Sequence, residues 1–280
     1  MLAPRLPGDE AGSADVAERI EAVAKTEPSF LPRSDYVRET QSGGMTVASR
    51  DKIVGWYEQM GAAFGLSDHL LDLATNYLDR ALSARSVSAD EFRRDAVAAI
   101  YLAAKLEGAA AFEAAELAAL TSGNVTAEDL IAAEAELVKT LQWRTHAPTV
   151  AVAVLDAVAF HAVDVSVADE VSAFSRVART SYELVGAPPT LVAAACVVAA
   201  SPSPEARAVA EAASALDTPW GGSPSRVQSA AALLRAARAK RAGNYAPPPR
   251  EAFVPVETPD DCATVTPDPP TRSPSPYSKH

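Results

Sequence analysis

From about residue 48 to about residue 240 the chain repeats one pattern. Apolar residues return at three- and four-residue steps for several turns, until Gly, Pro or Ser breaks the run. That spacing lines one face of an α-helix, and no stretch shows the two-residue alternation of a half-buried strand. The expected fold class is therefore all-α. Alanine makes up much of the 48% hydrophobic content, which suits helices packed closely together.

The punctuation divides the chain. In "ASRDKIVGWYEQMGAAFG", Ile53, Trp56, Met60 and Phe64 form the apolar face and Gly65 is a stop. "SDHLLDLATNYLDRALS" starts with Ser67 as a cap. "SADEFRRDAVAAIYLAAKLEG" has Ser88 as its cap, Asp90 and Glu91 in its first turn, and Gly108 as its stop. "FEAAELAALTSG" is a shorter helix, and "TAEDLIAAEAELVKTLQW" runs from a Thr126/Asp129 capping box to Trp143. A second group begins at "THAPTVAVAVLDAVAFHAV", with Pro148 near its first helical position. It continues through "VADEVSAFSRVARTSYELVG", "PPTLVAAACVVAA", "PEARAVAEAASALD" and "SRVQSAAALLRAARAKRAG". Two tandem groups of about five helices are expected, split near residue 146. Ahead of them, "SADVAERIEAVAKTE" reads as a short amphipathic helix begun by Ser13 or Asp15, and the prolines of "PSFLPRSDYV" imply an extended stretch. The expected domains are 1–27 as an extension, 28–146 and 147–243 as the helical groups, and 244–280 as a Pro/Ser/Thr-rich disordered tail.

A net charge of −11 argues against a nucleic-acid or anionic-membrane surface, since either needs a concentrated basic patch. Cys196 and Cys262 stand in unrelated settings and suggest neither a disulfide nor a zinc site. The first twenty residues lack a secretory apolar core, and "TLVAAACVVAA" is too short to span a bilayer. The expected location is the nucleus, the cytoplasm or both. Catalysis leaves no trace: there is no phosphate-binding glycine loop, GxSxG, HExxH or CxxC, and His69, His146, His161 and His280 share no ligand spacing. No metal, cofactor or enzymatic activity is expected.

Several motifs fall in order along the first group: "R...VGW", "NYLDR", "AAKLE", "AE.ELVKTLQW" and "APT". Together they resemble the cyclin box over residues 28–146, with a weaker likeness to about residue 240. The resemblance implies tandem cyclin folds and a regulatory subunit that activates a cyclin-dependent protein kinase. Lys105 and Glu134 match the family's lysine and glutamate at the kinase interface, with Leu102, Leu106, Val138 and Trp143 as apolar neighbours. Arg50 and Asp79 match an internal ion pair between the first two box helices. Kinase substrates and inhibitors are the further partners implied.

Many cyclins dock Arg-x-Leu substrates on a first-helix patch that begins "MRAIL". The matching residues here are Ser49, Arg50, Ile53 and Trp56, with Lys52 replacing an apolar residue, Gln59 replacing the expected glutamate and Arg93 a companion glutamine. A cationic motif would lose its acid and meet like charges, so the patch is expected to be degenerate. "TEPSFLPRSDYVRETQ" looks like the approach segment of G1-type, D-like cyclins, although Leu-x-Cys-x-Glu is absent. The tail offers Ser/Thr-Pro sites at Thr258, Thr266, Ser273 and Ser275, where phosphate could create a degradation signal. The competing reading is a cyclin-fold transcription or adaptor protein that activates no kinase; the DNA-binding ones of that kind carry basic surfaces, unlike this acidic chain.

Overall fold

The computed structural model describes residues 9–42, 44–108, 112–121, 123–160, 163, 165–201, 208, 211 and 223–244. Among the described residues every regular element is helical. The chain opens with α1 (Asp9–Thr26), a 3-10 turn (Glu27–Phe30) and the short α2 (Tyr36–Glu39). The first helical group is α3 (Val47–Phe64), α4 (Asp68–Ala84), α5 (Ala89–Leu106), α6 (Ala114–Ala119) and α7 (Ala127–Thr140). The second contains α8 (Val150–Phe160), α9 (Val165–Thr180), a 3-10 turn (Tyr182–Leu184), α10 (Pro189–Ala200) and α11 (Pro224–Asn244).

Local signals set the helix ends. Thr46 Oγ1 caps α3 by accepting from Ser49 N, and Gly65 closes that helix in the left-handed region at φ 67°, where a Cβ would be strained. Ser67 caps α4, while Ser88 with Glu91 and Thr126 with Asp129 form reciprocal capping boxes on α5 and α7.

Two apolar cores follow from the helix faces. The first is built on α3–α7 around Tyr57, Tyr77, Leu78, Ile100, Leu117, Leu130 and Leu137, and the second on α8–α11 around Val171, Cys196, Val197, Val227 and Leu234. α5 is central to the first, packed between α4 and α7, and α10 occupies the equivalent place in the second. Both central helices are alanine-rich: Ala96, Ala98, Ala99, Ala103 and Ala104 on α5, and Ala193, Ala194, Ala195 and Ala199 on α10, are all buried. Small side chains let neighbouring backbones approach, and all of α10 except its last residue is buried.

Several sequence expectations are corrected. α1 begins at Asp9, ahead of Ser13. Residues 27–30 turn in a 3-10 helix instead of running extended, because Pro28 is tolerated in a first turn. α7 stops at Thr140, so Trp143 lies beyond it, and Pro148 precedes α8 instead of opening it. Most of the helix expected in "PEARAVAEAASALD", and the tail from 245 to 280, lie outside the described residues.

Polar ties join the parts. Arg179 on α9, buried, donates from Nε to Asp72 Oδ1 at 2.6 Å, from Nη1 to Glu58 Oε1 at 2.6 Å and from Nη2 to Asp68 Oδ1 at 2.8 Å. This one side chain ties the second group to α3 and α4. The buried Glu27 carboxylate accepts from Thr190 N at 3.1 Å and Thr190 Oγ1 at 2.7 Å, and burial raises its pKa. α1 packs on α8, where Arg19 Nη2 meets Asp156 Oδ1 at 2.7 Å. Gly186, at φ 79°, lets the approach segment pass: a Cβ there would stand 2.9 Å from Pro32 O.

Candidate functional site

The segment "NYLDR" on α4 organises the surface of the first group, since each of its residues points somewhere different. Asn76 Nδ2 donates to Phe30 O at 2.9 Å, pinning the approach segment. Tyr77 hydroxyl donates to the Thr145 carbonyl, and Leu78 fills the core. Asp79, buried, takes a two-pronged bond from Arg50: Nε to Oδ1 at 2.8 Å and Nη2 to Oδ2 at 2.7 Å. Tyr36 hydroxyl donates to the same carboxylate at 2.8 Å. Arg50 and Asp79 thus form an ion pair between α3 and α4, and Arg50 Nη2 also reaches Arg179 O at 3.2 Å. Arg80 donates to Arg144 O at 2.7 Å and Leu141 O at 3.1 Å. Together with Tyr77, it clamps the turn that follows α7.

That turn is strained and displayed. Gln142 and Trp143 adopt positive φ, 55° and 60°, a conformation that non-glycine residues hold only when their surroundings impose it. The Arg80 clamp imposes it here, and the result is a tryptophan 79% exposed to solvent. An exposed indole on a fixed backbone is the kind of group that anchors a protein interface.

Lys105 closes α5 nearby in the sequence of helices. Its Nζ lies 2.7 Å from Glu134 Oε1 on α7, across the packed α5–α7 pair. That hydrogen bond raises the Lys105 pKa, and the ammonium also sits 5.1 Å from the centre of the Tyr101 ring one turn earlier. Lys105 remains about half exposed, so its charge is open to a partner while its position is fixed. Leu106 (43% exposed) and Ile131 (55%) are the other large apolar side chains exposed on α5 and α7. Nothing in the sequence pattern singles out Ile131, although it stands one turn before Glu134 on the same helical face.

Other expected neighbours play different parts. Leu102 is 4% exposed and packs in the first core, so it supports this surface without offering area to a partner. The reason is its position on the buried face of the central helix. Val138 is half-buried against the same core.

The expected docking patch divides similarly. Arg50 cannot take part from the surface, because its guanidinium is turned inward to Asp79. Ser49 belongs to the α3 cap, with its hydroxyl 3.0 Å from Thr46 Oγ1. Ile53, Trp56 and Arg93 line a small cavity with Val97, Leu120 and Val125, and Gln59 lies one turn past Trp56 on α3.

Residues 18–146 match the family model described as the cyclin N-terminal domain. That stretch is similar to the cyclin N-terminal domain. Its match begins within α1, earlier than the motif resemblance at residue 28. A putative cyclin-F3-2 of Oryza sativa subsp. japonica is 30% identical over 138 residues, which is 49% of this chain and 34% of that protein. Cyclin-A1 of Carassius auratus is 33% identical over 124 residues, 44% of this chain and 31% of that protein. The chain thus aligns with about a third of the length of these curated relatives. Among solved structures, a viral cyclin from herpesvirus saimiri superposes with a TM-score of 0.62 at 16% identity, covering 79% of this chain and 97% of that one. A chain of the CAK complex of Chaetomium thermophilum bound to ATP-γ-S gives 0.55 at 14% identity, covering 86% and 78%. At these identities the likeness is one of fold, and its coverage reaches past residue 146 into the second helical group. Within the matched residues, Lys105 and Glu134 are joined across α5 and α7, and Trp143 is displayed on the turn after α7 that Arg80 of α4 holds.

Proposed function

We propose that this chain is the regulatory subunit of a cyclin-dependent protein kinase, which it binds and activates through the surface around Lys105 and Glu134. The observation that carries the reading is the 2.7 Å pair between those residues at the exposed end of α5. A pair this exposed adds little to stability, under about 1 kcal/mol. Its value lies in a fixed cation, with Trp143 and Leu106 exposed on the box as apolar anchors.

A protein kinase is active when its C-helix glutamate pairs with the lysine that holds the ATP phosphates. A rigid helical surface that binds this arrangement better than the inactive one shifts the population toward it. Moving such an equilibrium from 1:99 to 99:1 takes about 5.5 kcal/mol of differential affinity. The subunit supplies that difference and no catalytic group. Kinase substrates and inhibitors would meet the assembled pair. The cell-cycle phase is proposed as G1 or G1/S on the D-like segment 26–41 alone, while the relatives named above are A- and F-type cyclins. Nuclear or cytoplasmic location, and phosphorylation of Thr258, Thr266, Ser273 and Ser275 as a turnover signal, belong to the same proposal.

The test is co-purification with cyclin-dependent kinases and an assay of substrate phosphorylation, comparing the wild type with Lys105→Ala and Glu134→Ala. Each variant should keep its melting temperature and lose at least tenfold in kinase affinity. Full activation by both would defeat the proposal, and binding without activation would favour a cyclin-fold adaptor.

A further inference from the structure

A cavity of about 220 Å³ lies where α1, α4, α8 and α10 converge on the link between the two helical groups. Four alanines keep it open. Ala147 on the link, Ala153 and Ala157 on α8, and Ala194 on α10 are all buried in its wall, and a methyl group is too short to fill the space. Val23 on α1 and Leu73 on α4 extend the apolar lining. A void in such a wall forgoes the contacts that packed atoms would make, and an apolar cavity of roughly 150 Å³ already holds a benzene ring.

The polar part of the wall is ordered by its own hydrogen bonds. Val152 N donates to Thr149 Oγ1 at 3.4 Å, and that hydroxyl pairs with His69 Nδ1 at 2.8 Å. His69 Nε2 stands 3.3 Å from Glu107 Oε2. These contacts agree on one tautomer of the neutral ring: the hydroxyl donates to Nδ1 and Nε2 carries the hydrogen, since the opposite choice would set a lone pair against the carboxylate. The imidazole thus steadies Glu107 through one oxygen. Glu107 and His69 are 33% and 30% exposed, which places them at the mouth, and among the described residues nothing is bonded to Glu107 Oε1. An apolar chamber with a few fixed polar groups is the common form of a small-molecule site.

Charge selects the polar end of the ligand. Asp156, the other acid in the wall, is paired with Arg19 at 2.7 Å. His146, exposed on the link, is the remaining titratable group beside Tyr77, whose hydroxyl is spent on the Thr145 carbonyl. Among the described residues no lysine or arginine lines the cavity, which leaves the Glu107 carboxylate as its uncompensated charge. A carboxylate beside an apolar chamber accepts an ammonium, whereas an acidic ligand would meet like charge.

We propose that this cavity binds a small ring-bearing amine, with the ring among the alanines and the ammonium on Glu107. Leu106 is the one residue it shares with the surface described around Lys105, and the proposal does not rest on kinase activation.

The test titrates the full chain with three probes that share a phenyl ring and a two-carbon spacer: 2-phenylethylamine, 2-phenylethanol and 3-phenylpropionate. Calorimetry reads affinity, and nuclear Overhauser cross-peaks on methyl-labelled protein read position. The amine should bind in the millimolar range or tighter, and about tenfold tighter than the acid at low salt, a preference that narrows as salt screens Glu107. Cross-peaks from its ring to the methyl groups of Leu73 and Val152 should place it in the cavity. Glu107→Gln should bring the amine level with the alcohol and leave the alcohol's own affinity unchanged. Ala153→Leu and Ala194→Leu each fill the void and should abolish binding of all three probes; where either lowers the melting temperature, the wild-type cross-peaks decide the site. No binding of the amine at millimolar concentration, equal affinity for amine and acid, cross-peaks to methyl groups elsewhere, or full affinity in a stable leucine variant would overturn the proposal.

Discussion

Arg50→Ala tests how the first helical group is held together. The guanidinium is 2% exposed and makes two bonds to Asp79, at 2.8 and 2.7 Å. Removing it leaves a carboxylate that is itself only 4% exposed, with the Tyr36 hydroxyl as its remaining bond. Breaking one side of a buried ion pair costs about 3–5 kcal/mol, because the surviving charge is desolvated without compensation. For a protein of this size, each kcal/mol corresponds to about 2–4 °C, so the melting temperature should fall by about 6–20 °C. Scanning calorimetry or circular dichroism would measure this. The same reasoning requires that removing every member together be far milder, since no charge is then stranded. The triple variant Arg50→Met, Asp79→Leu, Tyr36→Phe should therefore melt well above Arg50→Ala. If Arg50→Ala melts within about 2 °C of the wild type, or the triple variant is the less stable of the two, the pair does not carry the packing of α3 on α4.

Trp143→Gly should weaken kinase binding at least tenfold while leaving stability unchanged or raised by up to about 1 kcal/mol, since glycine accepts the positive φ without strain; paired affinity and melting measurements check both. Burial pushes the Asp95 carboxyl up to about 6 despite its bond to Arg85 at 2.7 Å. A raised folded-state pKa means stability is lost as pH rises through that value. Asp95→Asn should therefore gain on the wild type by about 1–3 kcal/mol between pH 4 and pH 8 in urea titrations; a constant difference across that range contradicts the assignment. Ser88→Ala removes the α5 cap and should cost about 1 kcal/mol by the same titration. Alanine at Thr258, Thr266, Ser273 and Ser275 together should lengthen the protein's half-life in a chase experiment, and an unchanged half-life removes the turnover signal.

The helices themselves are legible in the sequence, and for a local reason. Ser67, Ser88 with Glu91, Thr126 with Asp129, and Gly65 act within one turn of themselves, so spacing alone reveals them. The class, the order of elements and the two apolar groups follow from the same short-range periodicity. Lys105, Glu134, Arg50 and Asp79 stand out through motif order, which records long-range partners only where a family has fixed them. The tertiary structure decided everything that depends on which elements meet. It turned Leu102 and Arg50 inward, bent the turn after α7 so that Arg80 could hold its carbonyls and expose Trp143, and exposed Ile131, which periodicity could not separate from core. It also brought Arg179 to three acids more than a hundred residues away. Caps and periods are properties of neighbours along the chain, whereas burial and hydrogen-bond satisfaction are properties of neighbours in space, which one sequence does not record.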